Sequence, residues 1–292
     1  MSIKTGKNFL FFIQLLLVTG IGFNAKAQDD SIHVVHAHWK TQVITKGVTL
    51  KQFWFHNTLF HSNQNITLLE INPNGQVKLG VEGDRKILRK TNEIGKAANA
   101  IAAINGAFFD IKNGGSVAFF RKNGEIINEN KLYKNGQRKF FQKVALVFKK
   151  GKVHIARWNG KENWEKQLDG DDILLSGPLL VDHGKIQSLD SLTWNSNGQR
   201  APRSAIAITR NRVLLITVDG RNENAAGMTL PELGKLLFWL KSKYAVNLDG
   251  GGSTSLWVYN QPGNGIVNFP TDNKAWDQEG VRKVANAIVV KK

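Results

Sequence analysis

The stretch Val213-Leu-Leu-Ile-Thr-Val218 constrains this chain more than any other. It is apolar at almost every position, so as a strand it cannot keep one face in water and needs cover on both sides. An α/β (α+β) architecture follows: a single domain with a large twisted mixed β-sheet, this strand inside it and a few helices packed on it. The run stops at Asp219-Gly-Arg221, where the first ionisable side chains emerge from the layer. Such a strand end is either a ligand site or a structural ion pair between Asp219 and a nearby arginine.

Downstream, Gly227-Met-Thr-Leu-Pro-Glu-Leu reads as a helix start, with Thr229 and Glu232 spaced as a capping box and Leu233, Leu236, Leu237 and Leu240 as one apolar stripe. The spacing predicts a helix over 229–243. Glu232 is explained mainly as the cap and stays a secondary catalytic candidate. The helix returns to Ala245-Val-Asn-Leu-Asp249, a second short buried strand. Strand, helix and strand over about 37 residues match a right-handed crossover, which predicts parallel neighbouring strands with Asp219 and Asp249 at one carboxyl edge.

After Asp249 come three glycines and then Ser253 and Thr254. Gly250, Gly251 and Gly252 let backbone N–H groups approach an anion closely, and the two hydroxyls add donors; the plain alternative is a turn capped by Asp249. A similar design occurs at Ala102-Ala-Ile-Asn-Gly-Ala-Phe-Phe-Asp110, preceded by an alanine-rich pattern that predicts a helix over 92–103. Asn105 and Asp110 are rim candidates there, with turn capping as the alternative for each. Arg203 opens a further predicted strand, Ala201 to Thr209.

Residues 32 to 90 read as a β-rich meander, and Arg121–Glu125, Lys149–Lys152 and Val181–Ile186 read as hairpin turns. His33, His36 and His38 fall in what looks like a loose arm, His183 lies at a turn tip, and Asn65-Ile-Thr67 is a weak glycosylation sequon inside a strand.

The first 27 residues have Lys4 and Lys7, an apolar run from Phe9 to Phe23 and Ala25-Lys-Ala27, the layout of a secretory signal peptide too short to anchor the chain comfortably. The expectation is a periplasmic or secreted protein without a membrane span after cleavage. The chain has no cysteine, which excludes thiol catalysis, thiolate zinc sites and iron–sulfur clusters. Losing Lys4, Lys7 and Lys26 takes the formal charge from +17 to +14. A basic exported protein meets anionic partners such as phosphorylated glycans; nucleic acid is not expected outside the cytoplasm. The lysines are scattered along the chain, and no cofactor motif is present.

Taken in order, Asn105-Gly-Ala-Phe-Phe, Ser176-Gly-Pro-Leu-Leu, Pro202-Arg-Ser-Ala, Val218-Asp-Gly-Arg, Gly227-Met-Thr with Glu232-Leu, Asn247-Leu-Asp-Gly-Gly-Gly-Ser-Thr and Val284-Ala-Asn-Ala resemble the phosphodiester glycosidase domain family. The resemblance runs from about Ile101 to Val290, so the chain divides into a signal peptide at 1–27, a β-rich part at 28–90 and a family-like part at 91–292. It implies hydrolysis of the glycosidic C–O bond of a sugar-1-phosphodiester, with an N-acetylglucosamine-like sugar, on an envelope or extracellular glycan. In that chemistry Asp219 and Asp249 are the carboxylate candidates. Arg203, Arg221 and the Gly250–Gly252 amides would hold phosphate. Asn105, Asp110, Thr229, Asn247, Ser253 and Thr254 are the candidates for the remaining substrate contacts. Two other classes use the same residues: a non-catalytic binding protein for anionic glycans, and a metal-dependent phosphodiesterase. No metal ligand set is read from the sequence.

Overall fold

The computed structural model describes residues 29–190 and 198–292; the expected signal peptide lies outside the described residues. Among them no helix is long and apolar enough to cross a membrane. The domain is α+β and is built from an eight-stranded sheet, a five-stranded sheet and a four-stranded sheet, with a two-stranded ribbon. Every strand pairing described is antiparallel.

Val213–Val218 is the inner strand that its composition demands. All six residues are buried. Val213 and Leu215 join the core shared with the two smaller sheets, while Leu214, Ile216 and Val218 join a second core with the helix Leu230–Trp239. The alternation of strand side chains thus feeds two cores from one strand. Strands Lys40–Thr45, Val48–Phe55 and Gln64–Ile71 extend this sheet, the last pairing directly with Val213–Val218.

The crossover expectation needs correction. Arg203–Ile208 lies between Val213–Val218 and Tyr244–Asn247 and is antiparallel to both. The two strands are therefore parallel to each other at one remove and end on the same edge, but they are not neighbours. A hairpin partner immediately upstream in sequence took the place beside Val213–Val218, because a short antiparallel connection closes at less entropic cost than a long crossover.

Both helices are shorter than their patterns predict. Leu230–Trp239 is capped as read, with Thr229 Oγ1 accepting from Glu232 N at 3.2 Å and Glu232 Oε2 accepting from Thr229 N at 2.8 Å. It stops before Lys241, whose φ of +61° leaves the helical region. Thr91–Ala97 is the helix found where the pattern over 92–103 predicts one. Asn99 turns the chain with φ +49°, and Ala102–Asn105 becomes a fully buried strand between Leu256–Val258 and Asn286–Lys291. Small alanines satisfied the helical pattern, but burial on both faces decided the strand.

The three hairpins turn at Asn123-Gly124, Lys150-Gly151 and His183-Gly184, each pair with positive φ at both residues, as a type I′ turn requires. Residues 29–35, read as a loose arm, are helical. Asp30 accepts from Phe60 N at 2.7 Å, and Val34 is buried in the helix-side core.

Candidate active site

Asp249 leaves the sheet one residue past Leu248, and the loop behind it is held by a hub. Asn105 is fully buried. Its Oδ1 accepts from Ser204 Oγ at 2.6 Å and Ser255 N at 3.1 Å, and its Nδ2 donates to Asp249 O at 2.6 Å. Asp249 N in turn donates to Gly106 O at 2.9 Å. Asn286, from the closing Val-Ala-Asn-Ala motif, accepts from Ala107 N at 2.7 Å and so fixes the same corner. Asn247 donates to Gly177 O at 3.0 Å and Leu248 O at 2.7 Å. Asn105 and Asn247 thus have their amide N–H groups engaged by backbone, and what they position is Asp249.

Each of the three glycines faces a different arginine. A Cβ on Gly250 would lie 2.8 Å from Pro202 O and 3.7 Å from Arg203 Cδ; one on Gly251 would lie 3.1 Å from Arg221 Nη2; one on Gly252 would lie 2.4 Å from Arg282 Nη2. Only glycine allows this approach, and Gly251 also has φ +61°. The amides are less available than the motif suggests, because Gly251 N donates to Pro202 O at 2.8 Å and Gly250 N faces the Asp249 carboxyl. Positive charge at this corner therefore comes mainly from guanidinium groups.

Arg203 is buried, with Nε donating to Met228 O at 2.7 Å and Nη2 to Gln199 O at 2.9 Å. Burial first, then the neighbouring Arg221, brings its pKa down to about 10, with Glu232 opposing. Two guanidinium groups that repel each other in this way favour an anion between or beside them. Arg221 is exposed and sits on a left-handed backbone, φ +60°. Arg282, which sequence reasoning missed, donates from Nε to Asp272 Oδ1 at 2.8 Å and lends positive charge to Asp249.

Asp249 is half-buried. Desolvation of its carboxyl pushes the pKa up to about 6. The Ser253 hydroxyl opposes this as a nearby dipole, without a hydrogen bond of ordinary geometry, and the Arg282 charge and Gly250 N–H oppose it further. Ser253 Oγ and Thr254 Oγ1 are buried and have no hydrogen-bond partner among the described residues.

Asp219 stands differently. By strand alternation it shares the inner face with Val213 and Leu215, whereas Arg203 shares the helix face with Ala205 and Ala207. The strand ends that carry Asp219 and Asp249 are separated by Arg203–Ile208, so their backbones stand about 10 Å apart, two strand spacings. Asp219 is fully buried and accepts three bonds: from Asn65 Nδ2 at 3.1 Å, Asn268 Nδ2 at 2.9 Å and Phe269 N at 3.0 Å. Burial outweighs these donors and raises its pKa to about 7. Asn65 is therefore engaged inside the fold, which leaves the sequon without an accessible acceptor. Phe269 stacks on Trp276 at 4.2 Å, so the polar knot at Asp219 anchors the loop that ends in Arg282.

The remaining candidates lie in supporting positions. The Glu232 carboxylate is occupied by its cap and by Arg200 at 2.6 Å, and Thr229 by the same cap. Asp110 accepts from Asn113 N at 2.9 Å and Lys112 N at 3.1 Å within its own turn, and from the more distant Lys131 Nζ at 3.2 Å. The Asn113 and Lys131 bonds hold its carboxyl well below the ordinary carboxylate range.

A model of the phosphodiester glycosidase family matches residues 98–291, two thirds of the chain. The chain belongs to the phosphodiester glycosidase family. Among solved structures, a hypothetical protein from Synechocystis superposes with a TM-score of 0.64 at 19% identity, covering 86% of this chain. This chain spans 63% of that protein's length. The zebrafish N-acetylglucosamine-1-phosphodiester alpha-N-acetylglucosaminidase catalytic domain, auto-inhibited by its pro-peptide, superposes with a TM-score of 0.63 at 16% identity, covering 87% of this chain and 88% of its own. A Burkholderia pseudomallei protein described as exported gives 0.56 at 15%, covering 80% and 74%. At these identities the likenesses show the fold. No curated protein matches the sequence.

One glycine tests the arginine arrangement. A Cβ on Gly252 meets only side-chain ends, Arg282 Nη2 at 2.4 Å and Asp272 Oδ1 at 2.6 Å, so Gly252→Ala is expected to displace that pair and leave the fold intact. Losing one charge-assisted contact is worth roughly 1.5–3 kcal/mol, about a tenfold rise in KM or more. An unchanged KM for a phosphodiester substrate, with an unchanged Tm, would remove Arg282 from the binding site.

Proposed function

We propose that this protein hydrolyses the bond between the anomeric carbon and the phosphate oxygen of a sugar-1-phosphodiester, with an N-acetylglucosamine-like sugar, on a glycan of the cell envelope or its surroundings. The observation that supports it most is the placement of Asp249. A half-buried carboxyl with a raised pKa stands on a glycine corner ringed by Arg203, Arg221 and Arg282. In this reading the Asp249 carboxylate either attacks the anomeric carbon itself, water then cleaving the glycosyl ester to free sugar and carboxylate, or takes the proton of a water whose oxygen attacks that carbon. The C–O bond breaks, its electron pair leaves on the phosphate oxygen, and Arg221 and Arg282 neutralise the charge that develops there. A phosphate leaves as a stabilised anion, so the role of a strong general acid is small and a single carboxylate suffices. Asp219 serves by holding the Asn268–Phe269 loop.

Such a mechanism has a pH signature. Asp249 acts only when ionised and titrates near 6. kcat/KM should therefore rise with pH through about 6 and level off above it. A flat profile from pH 5 to 8 would argue against Asp249 as the attacking or activating group.

Turnover of UDP-N-acetylglucosamine in oxygen-18 water decides between the readings. Label in the sugar supports C–O cleavage by the glycosidase. Label in phosphate supports a metal-dependent phosphodiesterase instead. Binding of sugar-1-phosphodiesters without turnover over a panel supports the glycan-binding protein.

A further inference from the structure

The fold gathers basic residues that are scattered in the sequence. The segment 138–143 and the turn 157–161 are brought together when Trp158 N donates to Lys143 O at 2.9 Å, and Trp158 Nε1 donates to Lys161 O at 2.9 Å. The indole is thereby fixed by its neighbours. Arg138 and Lys143 lie over its ring at 5.6 and 5.7 Å from the centroid, and Lys139 lies over the Tyr133 ring at 5.4 Å. Trp158 is 36% exposed and Tyr133 53%. A cavity of about 680 Å³ is lined by Arg138, Lys143, Trp158 and Lys161, with Glu162 as its acidic member.

The charge there is largely uncompensated. Arg138 is paired with the buried Glu165 at 2.8 Å, but Lys139, Lys143 and Lys161 form no ion pair among the described residues. Rings that hold ammonium groups in place lower the ordering cost when an anion arrives.

A second cavity of about 320 Å³ shares Lys143 and Trp158 and continues to Phe140 and Pro178. Pro178 O accepts from Asn247 N at 3.0 Å, two residues before Asp249. The basic groove therefore abuts the backbone that positions the candidate active site.

We propose that this groove is a second binding surface, one that holds a polysaccharide bearing phosphate groups while one of its phosphodiesters occupies the Asp249 corner. It rests on the functional reading above for the identity of the polymer, and on the groove itself for the site. Repeated phosphates along a glycan meet Lys143 and Lys161, which line the groove, with Lys139 beside it on the same segment. A single-stranded nucleic acid would instead need open ring faces for base stacking, and here cations lie over the rings.

The test uses the full chain and three polymers: phosphomannan, the same mannan after dephosphorylation, and single-stranded DNA. Affinity electrophoresis at low salt should retard the protein on phosphomannan and leave it unretarded on the dephosphorylated form. The variant K143E/K161E should bind phosphomannan about tenfold or more weakly, with a shallower salt dependence, and Trp158→Ala should also weaken it. Both should turn over UDP-N-acetylglucosamine as the parent does, because these residues lie outside the Asp249 corner. Unchanged affinity in both variants, equal retardation on dephosphorylated mannan, or DNA binding as tight as phosphomannan would each overturn the proposal. If no preparation turns over the small diester, the catalytic reading fails while the binding comparison still decides the groove.

Discussion

Asp249→Asn is expected to lower kcat by about 10³-fold or more on a sugar-1-phosphodiester while leaving the protein folded. The substitution keeps the shape of the side chain and removes the electron pair that attacks or activates. The backbone supports of this residue, Asn105 Nδ2 to Asp249 O and Asp249 N to Gly106 O, do not involve the carboxyl and survive the change. Stability should not suffer. The folded pKa of about 6 lies above the ordinary value of 3.8, so ionisation of Asp249 costs stability as pH rises through that window. The neutral amide avoids that cost, and at pH 7.5 the variant should melt at the same temperature as the parent or higher. Affinity for an unreactive sugar phosphate should be retained, because Arg221 and Arg282 remain. Paired measurements of kcat and Tm check this. A variant that kept more than about a tenth of the parent kcat would move the catalytic role to Asp219 or Glu232.

Much of the frame that presents Asp249 was legible because it rests on local chemistry. The apolar run Val213–Val218 announced burial on both faces, and the Thr229–Glu232 spacing announced a reciprocal cap that the structure forms. The hairpins at Asn123-Gly124, Lys150-Gly151 and His183-Gly184 follow from residues that tolerate positive φ. Strand order was not legible. Arg203–Ile208 stands between two strands whose sequence spacing fits a direct crossover, and nothing in periodicity distinguishes the two arrangements. The alanine-rich pattern at 92–103 likewise suits either structure until the neighbours of Ala102–Asn105 are known.

The partners of the site residues were the least readable part. Asn65, Asn268 and Phe269 meet Asp219 across 154, 49 and 50 residues of chain. Such contacts leave no pattern in the sequence. Arg282 lies just upstream of the Val284-Ala-Asn-Ala motif, which is the signal that could have drawn attention to it. Asp219 looked like a second catalytic carboxylate because it stands at the same sheet edge as Asp249. Its burial and its three donors become visible only when Asn65 on the neighbouring strand and the loop at 268–282 are seen packed around it.

This difference sets the result expected for Asp219. Asp219→Ala removes the acceptor of three buried N–H groups, each costing about 1–3 kcal/mol when left unpaired, and the combined loss is expected to be roughly 3 kcal/mol or more. The loss should depend on pH. The folded pKa of about 7 lies above the ordinary 3.8, so the native state binds more protons than the unfolded state between those values, and stability falls as pH rises. The favourable contribution of the protonated carboxyl is present below about pH 4 and is gone once pH has passed through 7. The parent should therefore lose stability between pH 5 and pH 8 by a margin that the variant lacks, and the gap between the two proteins should be wider at pH 5. Urea unfolding at both pH values measures it. Activity should fall as well, since Phe269 and Arg282 belong to the loop that Asp219 holds, and the fall should appear in KM more than in kcat. An Asp219→Ala protein with the parent's unfolding midpoint at both pH values, and a kcat reduced as deeply as in Asp249→Asn, would show that Asp219 takes part in the chemistry.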